Sequence, residues 1–241
     1  MMKASDLQNI LRKLSDPEKA QTLQRFFKTK PGQYAEGDLF LGIQVPQTRS
    51  ICRKFSQLPL PQLQVLLKSP YHEDRLAAVL ILVDQFEKAQ DAKIKKNIVD
   101  FYLQNKKSIN NWDLVDQSAH KIIGAYCFEI RNKSIMKSLL QSQHHWSRRI
   151  AIVSTLYWIR KNHTAPTFQF SSLLLNDKED LMHKSTGWML REAGKRNKSK
   201  LQSFILKNGN KMPRTMLRYA IEHFPKKQRD LILKSTRLYK K

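Results

Sequence analysis

The chain has 241 residues, of which 41% are hydrophobic, enough to build a core and to exclude global disorder. Its net charge of +24 is lopsided: residues 1–120 hold 18 basic against 13 acidic side chains, and residues 121–241 hold 26 against 7. A field of one sign over half a protein costs self-repulsion and suits a polyanionic partner, nucleic acid first. The basic residues are spread over many helices and no run of about 18 apolar residues occurs, which argues against a membrane surface or a membrane span.

The opening Met1-Met2-Lys3-Ala4-Ser5-Asp6 lacks an apolar leader segment, and a cytoplasmic location is expected. Ser15-Asp16-Pro17-Glu18 joins a capping side chain to a proline at the first helical position, which starts a helix. Pro31–Asp38, running into Leu39-Phe40-Leu41-Gly42-Ile43, holds three of the seven glycines and reads as an ordered, non-helical loop. Glycines at 32, 37 and 42 match neither a dinucleotide fingerprint nor a P-loop. Longer helices are predicted to begin near Tyr71, Trp112, Trp146, Glu179 and Pro213, with shorter ones near Asp91, Lys133, Thr167 and Lys198 and a last start at Phe224-Pro225. Convincing strand alternation is missing, so the fold class is all-α. Cys52 and Cys127 are isolated among apolar residues and read as buried, reduced thiols.

The long-helix starts recur at intervals of roughly 33 to 41 residues, the period of HEAT-like helix pairs. The expectation is a single domain over residues 1–241, a curved right-handed stack of antiparallel pairs (an α-solenoid) with a basic concave groove. An irregular α-bundle permits the same spacing. The recurrence of basic residues with the helices favours the solenoid: Arg148-Arg149, then Lys184 with Arg191, then Arg214 with Arg218. Arg148, Arg149, Lys184 and Arg191 are the candidate phosphate-backbone contacts of such a groove.

The segment Ser108-Ile109-Asn110-Asn111-Trp112-Asp113-Leu114-Val115-Asp116 carries the strongest chemical signal. With Asn111 or Asn110 as N-cap, Trp112 and Asp116 leave the helix on nearly the same side. Both lie at the edge of an apolar stripe of Val115, Ala119, Ile122 and Tyr126. A half-desolvated carboxylate beside an indole suits catalysis in a basic protein. Spacing alone favours the plainer reading, a helix-start acid stabilised by the macrodipole with the Trp as core anchor. Arg149 shares a sector with core residues, so it reads either as a phosphate clamp or as a snorkelling side chain. Gly187 beside Trp188 would let another backbone or a ligand approach the indole, although a Trp in a repeat helix is more often core. No metalloprotease, EF-hand or catalytic-triad pattern occurs, His144-His145 reads as surface, and neither metal nor cofactor is expected.

Four ordered segments resemble the AlkD-type DNA alkylation repair glycosylases from about residue 17 to 225: Leu39-Phe40-Leu41-Gly42-Ile43-Gln44-Val45-Pro46, Asn111–Asp116, Trp146-Ser147-Arg148-Arg149 and Gly187-Trp188-Met189-Leu190-Arg191-Glu192. That resemblance implies a stack of HEAT-like helix pairs and a monomeric enzyme acting on double-stranded DNA that contains alkylated bases. It makes Asp116 the catalytic carboxylate, Trp112 and Trp188 the indoles that hold the lesion's deoxyribose, and Arg149 the grip on the backbone. Phe26 stands where some members carry a Tyr, and the loop at 31–38 is longer than in some. The implied reaction is hydrolysis of the N-glycosidic bond of cationic N3- and N7-alkylpurines such as 3-methyladenine and 7-methylguanine, without base flipping. A cationic base leaves without a general acid, so one carboxylate stabilising positive charge on the sugar and orienting a water is sufficient. The alternatives are a non-catalytic binder of damaged or branched DNA on the same scaffold, and a protein-binding helical scaffold.

Overall fold

The computed structural model describes residues 2–236, and those residues are all-α apart from one isolated parallel bridge between Leu39 and Tyr71. They divide into two compact units, Met1–Ile122 and Ile123–Lys241.

The first unit contains α1 (Ala4–Lys13), α2 (Pro17–Phe27), α3 (Val45–Lys54), α4 (Leu60–Leu67), α5 (His72–Lys88), α6 (Ala92–Gln104) and α7 (Trp112–Ala119). Of these, α1, α3, α4 and α5 start without a capping side-chain hydrogen bond. Neither α1 nor α3 has a side-chain hydrogen bond from a Ser, Thr, Asp or Asn cap, and α4 starts after Pro59. Where a capping side chain is present the start falls as expected. Asp16 accepts from the Lys19 amide, Asp91 from those of Lys93 and Ile94, and Asn111 from that of Trp112. Helix α5 is the hub, packed against α1, α3, α4, α6 and α7. It is buried nearly all round, so its sequence shows no polar face to solvent along Leu76–Val83.

A π-helical turn, His120–Gly124, follows α7 directly and leads into α8 (Ala125–Glu129). The turn inserts an extra residue into the 3.6-residue repeat and rotates what comes after it. Val115, Ala119 and Ile122 are fully buried, as the apolar stripe requires. Beyond the turn Ala125 and Cys127 are buried, while Tyr126 is only partly buried.

The second unit continues with α9 (Ser134–Leu140), α10 (His145–Arg160), α11 (Ala165–Leu173), α12 (Asp180–Arg196), α13 (Lys198–Asn208), α14 (Arg214–Ala220) and α15 (Lys226–Ser235). Here the pairing of a solenoid is plain: α10 packs on α12 and α12 on α14, while α9, α11 and α13 cover them as the second member of each pair. Helices α8 and α10 both stop through a left-handed residue, Arg131 at φ 51° and Asn162 at φ 63°, with the next amide bonding back to Cys127 and Trp158. The close approach of α14 to α12 is made at Gly187, where a Cβ would lie 2.5 Å from the Met216 carbonyl oxygen.

Candidate functional site

The first unit is organised around four consecutive ionisable residues at the start of α5, His72-Glu73-Asp74-Arg75, all of them buried. Each has a specific partner. The Glu73 carboxylate accepts from the amides of Leu41, Gly42 and Ile43 at 2.9–3.3 Å. Gly42 can complete this nest because its φ is 85° and its missing side chain leaves room for the Asp16 carbonyl, which a Cβ would meet at 2.3 Å. Asp74 takes a bidentate pair from Arg12 at 2.6 and 2.9 Å. Arg75 stands 2.7 Å from Asp38. His72 Nε2 lies 2.7 Å from Asp113 Oδ2, and its Nδ1 lies 3.6 Å from Asp38, within ion-pair range though too long for a hydrogen bond. Burial opposes the imidazolium, but the Asp113 carboxylate, with Asp38, pushes the His72 pKa up from 6.5 to about 9. Two carboxylates and two cations thus form a balanced buried quartet.

This quartet abuts the Trp112–Asp116 pair. Asn111, fully buried, caps α7 and donates to Asp38 at 3.4 Å, while Asp113 joins His72. Trp112 lies between them in sequence. Its ring stacks on Phe27 (5.2 Å, 15°), meets Phe26 edge-on at 6.0 Å, and its Nε1 donates to the Tyr34 hydroxyl at 3.2 Å. The long loop at 31–38 therefore holds the indole directly through Tyr34. Trp112 and Asp116 are both half-buried, at the edge of the apolar stripe as the wheel requires. Asp113, about 100° round the helix from Trp112, turns inward and belongs to the quartet. The charge of Asp116 is felt by Tyr102, whose buried hydroxyl pairs with Ser118 at 2.8 Å and is pushed up chiefly by burial. Beside it, Arg49 donates to Gln117 at 2.8 Å.

The other candidates lie on α10 and α12 of the second unit, and most are engaged by the protein. Arg148 grips Asp177 through Nε at 2.6 Å and Nη2 at 3.1 Å, and its Nη1 donates to the carbonyls of Ser142 and Gln143. Arg149 is buried, and its Nη1 donates to the Leu181 carbonyl at 2.7 Å, tying α10 to the start of α12. Lys184 pairs with Asp180 at 2.8 Å. Arg191 bonds Glu192 and Glu222. Trp188 is half-buried and lines a cavity of about 410 Å³ with Leu156, Ile159, Arg160, Glu192, Lys195 and Arg196. The exposed cations Arg160 and Arg196 were not singled out by sequence. Their place at helix C-termini reads as macrodipole complement, and the cavity beside Trp188 comes from packing.

Burial pushes the Cys127 thiol up to about 11 and the Cys52 thiol up to about 12, so both are inert. Among the described residues no cluster of three or more His, Cys, Asp or Glu side chains is placed to hold a metal ion, and no helix is long and apolar enough to cross a membrane.

The family described as DNA alkylation repair enzyme matches residues 7–224. No curated protein matches the chain. Among solved structures, one titled "Predicted DNA alkylation repair enzyme from Enterococcus faecalis" is similar, with a TM-score of 0.68 at 16% identity over 88% of this chain and 97% of that one. At that identity the likeness speaks for the fold.

Proposed function

The chain belongs to the DNA alkylation repair enzyme family, and on that premise we propose that it is a DNA glycosylase releasing cationic N3- and N7-alkylpurines from duplex DNA. The observation that carries the reading is the half-buried Asp116 carboxylate one helical turn from the fixed indole of Trp112, in a chain of net charge +24.

Alkylation at N3 or N7 has already made the base a cation, so the C1′–N bond breaks without protonation of the leaving group. Positive charge then develops on the sugar. A preorganised carboxylate in a partly water-excluded site stabilises that charge and orients the attacking water. Trp112 is proposed to supply an aromatic face to the deoxyribose, and Trp188 is proposed as a second deoxyribose-binding indole. Arg149, with Arg148, Lys184 and Arg191, is proposed to hold the backbone, and the excess of basic residues in 121–241 supplies the long-range attraction to phosphate.

The test is single-turnover release of 7-methylguanine and 3-methyladenine from methylated duplex DNA, by the wild-type chain and by Asp116→Asn. The variant is expected to lose base release by orders of magnitude while binding DNA as well or slightly better, since a charge that repels phosphate is gone. Near wild-type release by the folded variant would remove Asp116 from the chemistry. Efficient release of uracil, a neutral base, would contradict the mechanism.

A further inference from the structure

We infer that the buried Asp38–His72–Asp113 cluster is the device that sets Trp112 and Asp116 in place, which makes His72 a positioning residue for base release. This rests on the glycosylase reading above for its activity readout and on geometry alone for the rest.

Trp112 lies in sequence between two residues that the cluster holds. Asn111 caps α7 and donates to Asp38, and Asp113 takes His72 Nε2 at 2.7 Å. Phe27 provides a third connection, since one ring packs against both His72 (5.1 Å) and the Trp112 indole (5.2 Å). Phe40 covers His72, stacked at 4.6 Å. Four separate parts of the first unit therefore converge on one imidazole: α2 through Phe27, the 38–43 segment through Asp38 and Phe40, α5 itself, and α7 through Asp113. The first turn of α7 follows the position of His72, and Asp116 lies one turn further along that helix.

The groups facing the imidazole are Asp113 from α7, Asp38 from the loop and Arg75 from its own helix, together with the two phenyl rings. At neutral pH the ring carries its proton, with Nε2–H bonded to Asp113 and Nδ1–H within ion-pair range of Asp38. Loss of that proton near pH 9 leaves Asp38 and Asp113 facing a neutral ring, with Arg75 as the remaining cation of the quartet. The attraction that draws the α7 start onto α5 then falls, and an error of about 1 Å in placing a catalytic group can cost about a hundredfold in rate.

Two measurements test this. The first needs no catalysis: the ring ¹³C–¹H resonances of Trp112, identified by their loss in Trp112→Phe, are followed from pH 7 to 10. A shift with a midpoint near 9 at Trp112 is expected, absent in His72→Gln, with Trp188 unmoved. A flat Trp112 titration in the wild-type chain overturns the inference, and this arm decides even if His72→Gln does not fold. The second is the pH profile of single-turnover base release at saturating enzyme. The wild-type rate is expected to fall above pH 9. For His72→Gln the rate should be roughly ten- to a hundredfold lower, without that alkaline limb and with unchanged DNA affinity. A folded His72→Gln chain with the wild-type rate and the same limb also overturns it. If the wild-type chain releases no base, the glycosylase reading fails by itself, and the Trp112 titration still judges the positioning.

Discussion

The two units use charge in opposite ways. In the first, ionisable side chains are turned inward and matched: Glu73 with three amides, Asp74 with Arg12, and Asp38 and Asp113 with Arg75 and His72. In the second, the few acids are placed against particular arginines and lysines, Asp177 on Arg148 and Asp180 on Lys184, while 25 basic residues in 123–241 far outnumber them. Inward charge must be compensated almost one for one, because an unpaired buried ion costs several kcal/mol. Outward charge needs no such partner and can accumulate until it serves a polyanion. A buried ionic network therefore marks where precision is held, and an excess of one sign marks where affinity comes from.

The largest effect should come from breaking the inward network. Glu73→Ala leaves three buried amides without their acceptor, at about 1–3 kcal/mol each, and is expected to cost on the order of 3–5 kcal/mol. Urea unfolding measures this, and a loss below about 1 kcal/mol would mean that the nest is satisfied in another way.

Next in size is the pH dependence of the same network. The His72 pKa is raised from 6.5 to about 9 in the folded chain, so its contribution is complete below about pH 6.5 and lost as pH rises through about 9. The shift corresponds to about 3 kcal/mol. Unfolding free energy should fall across that window in the wild-type chain and be nearly level there in His72→Gln. Equal slopes in the two chains would place the titrating group elsewhere.

In the second unit packing should outweigh ion pairs. Gly187→Ala puts a methyl 2.5 Å from the Met216 carbonyl oxygen and 2.5 Å from Tyr219 Cβ, so α14 has to shift away from α12. A loss of about 1–3 kcal/mol is expected from such overpacking. Thermal unfolding of the variant checks it, and a melting temperature equal to that of the wild type would show that the two helices separate freely.

The smallest effect is the most discriminating for function. If Arg149 grips a phosphate, Arg149→Ala should weaken DNA binding across sequences and shrink the log–log salt slope by about one unit. An unchanged slope together with lower stability would make Arg149 the tie between α10 and α12 that its bond to Leu181 describes.

Local signals made most of the helices legible in the sequence. Asp16-Pro17, Asp91 and Asn111 start helices because capping and proline act within three residues of themselves, and Pro213 and Pro225 mark two further starts in the same local way. The placement of Trp112 and Asp116 on one edge of α7 needed nothing beyond 3.6 residues per turn. The register beyond Ile122 was not legible, because the π-turn, after which Cys127 is buried and Tyr126 only partly so, leaves no local signature.

What the sequence by itself determined is the all-α class, the family, and which residues on α7 share a face. The tertiary structure decided the rest. His72 finds Asp113 across 41 positions, Arg12 finds Asp74 across 62, and Trp112 finds Tyr34 across 78. None of these pairs has a spacing that a helix or a turn imposes. Each exists because burying one charge or donor makes a distant partner obligatory, and that requirement is met only in the folded chain.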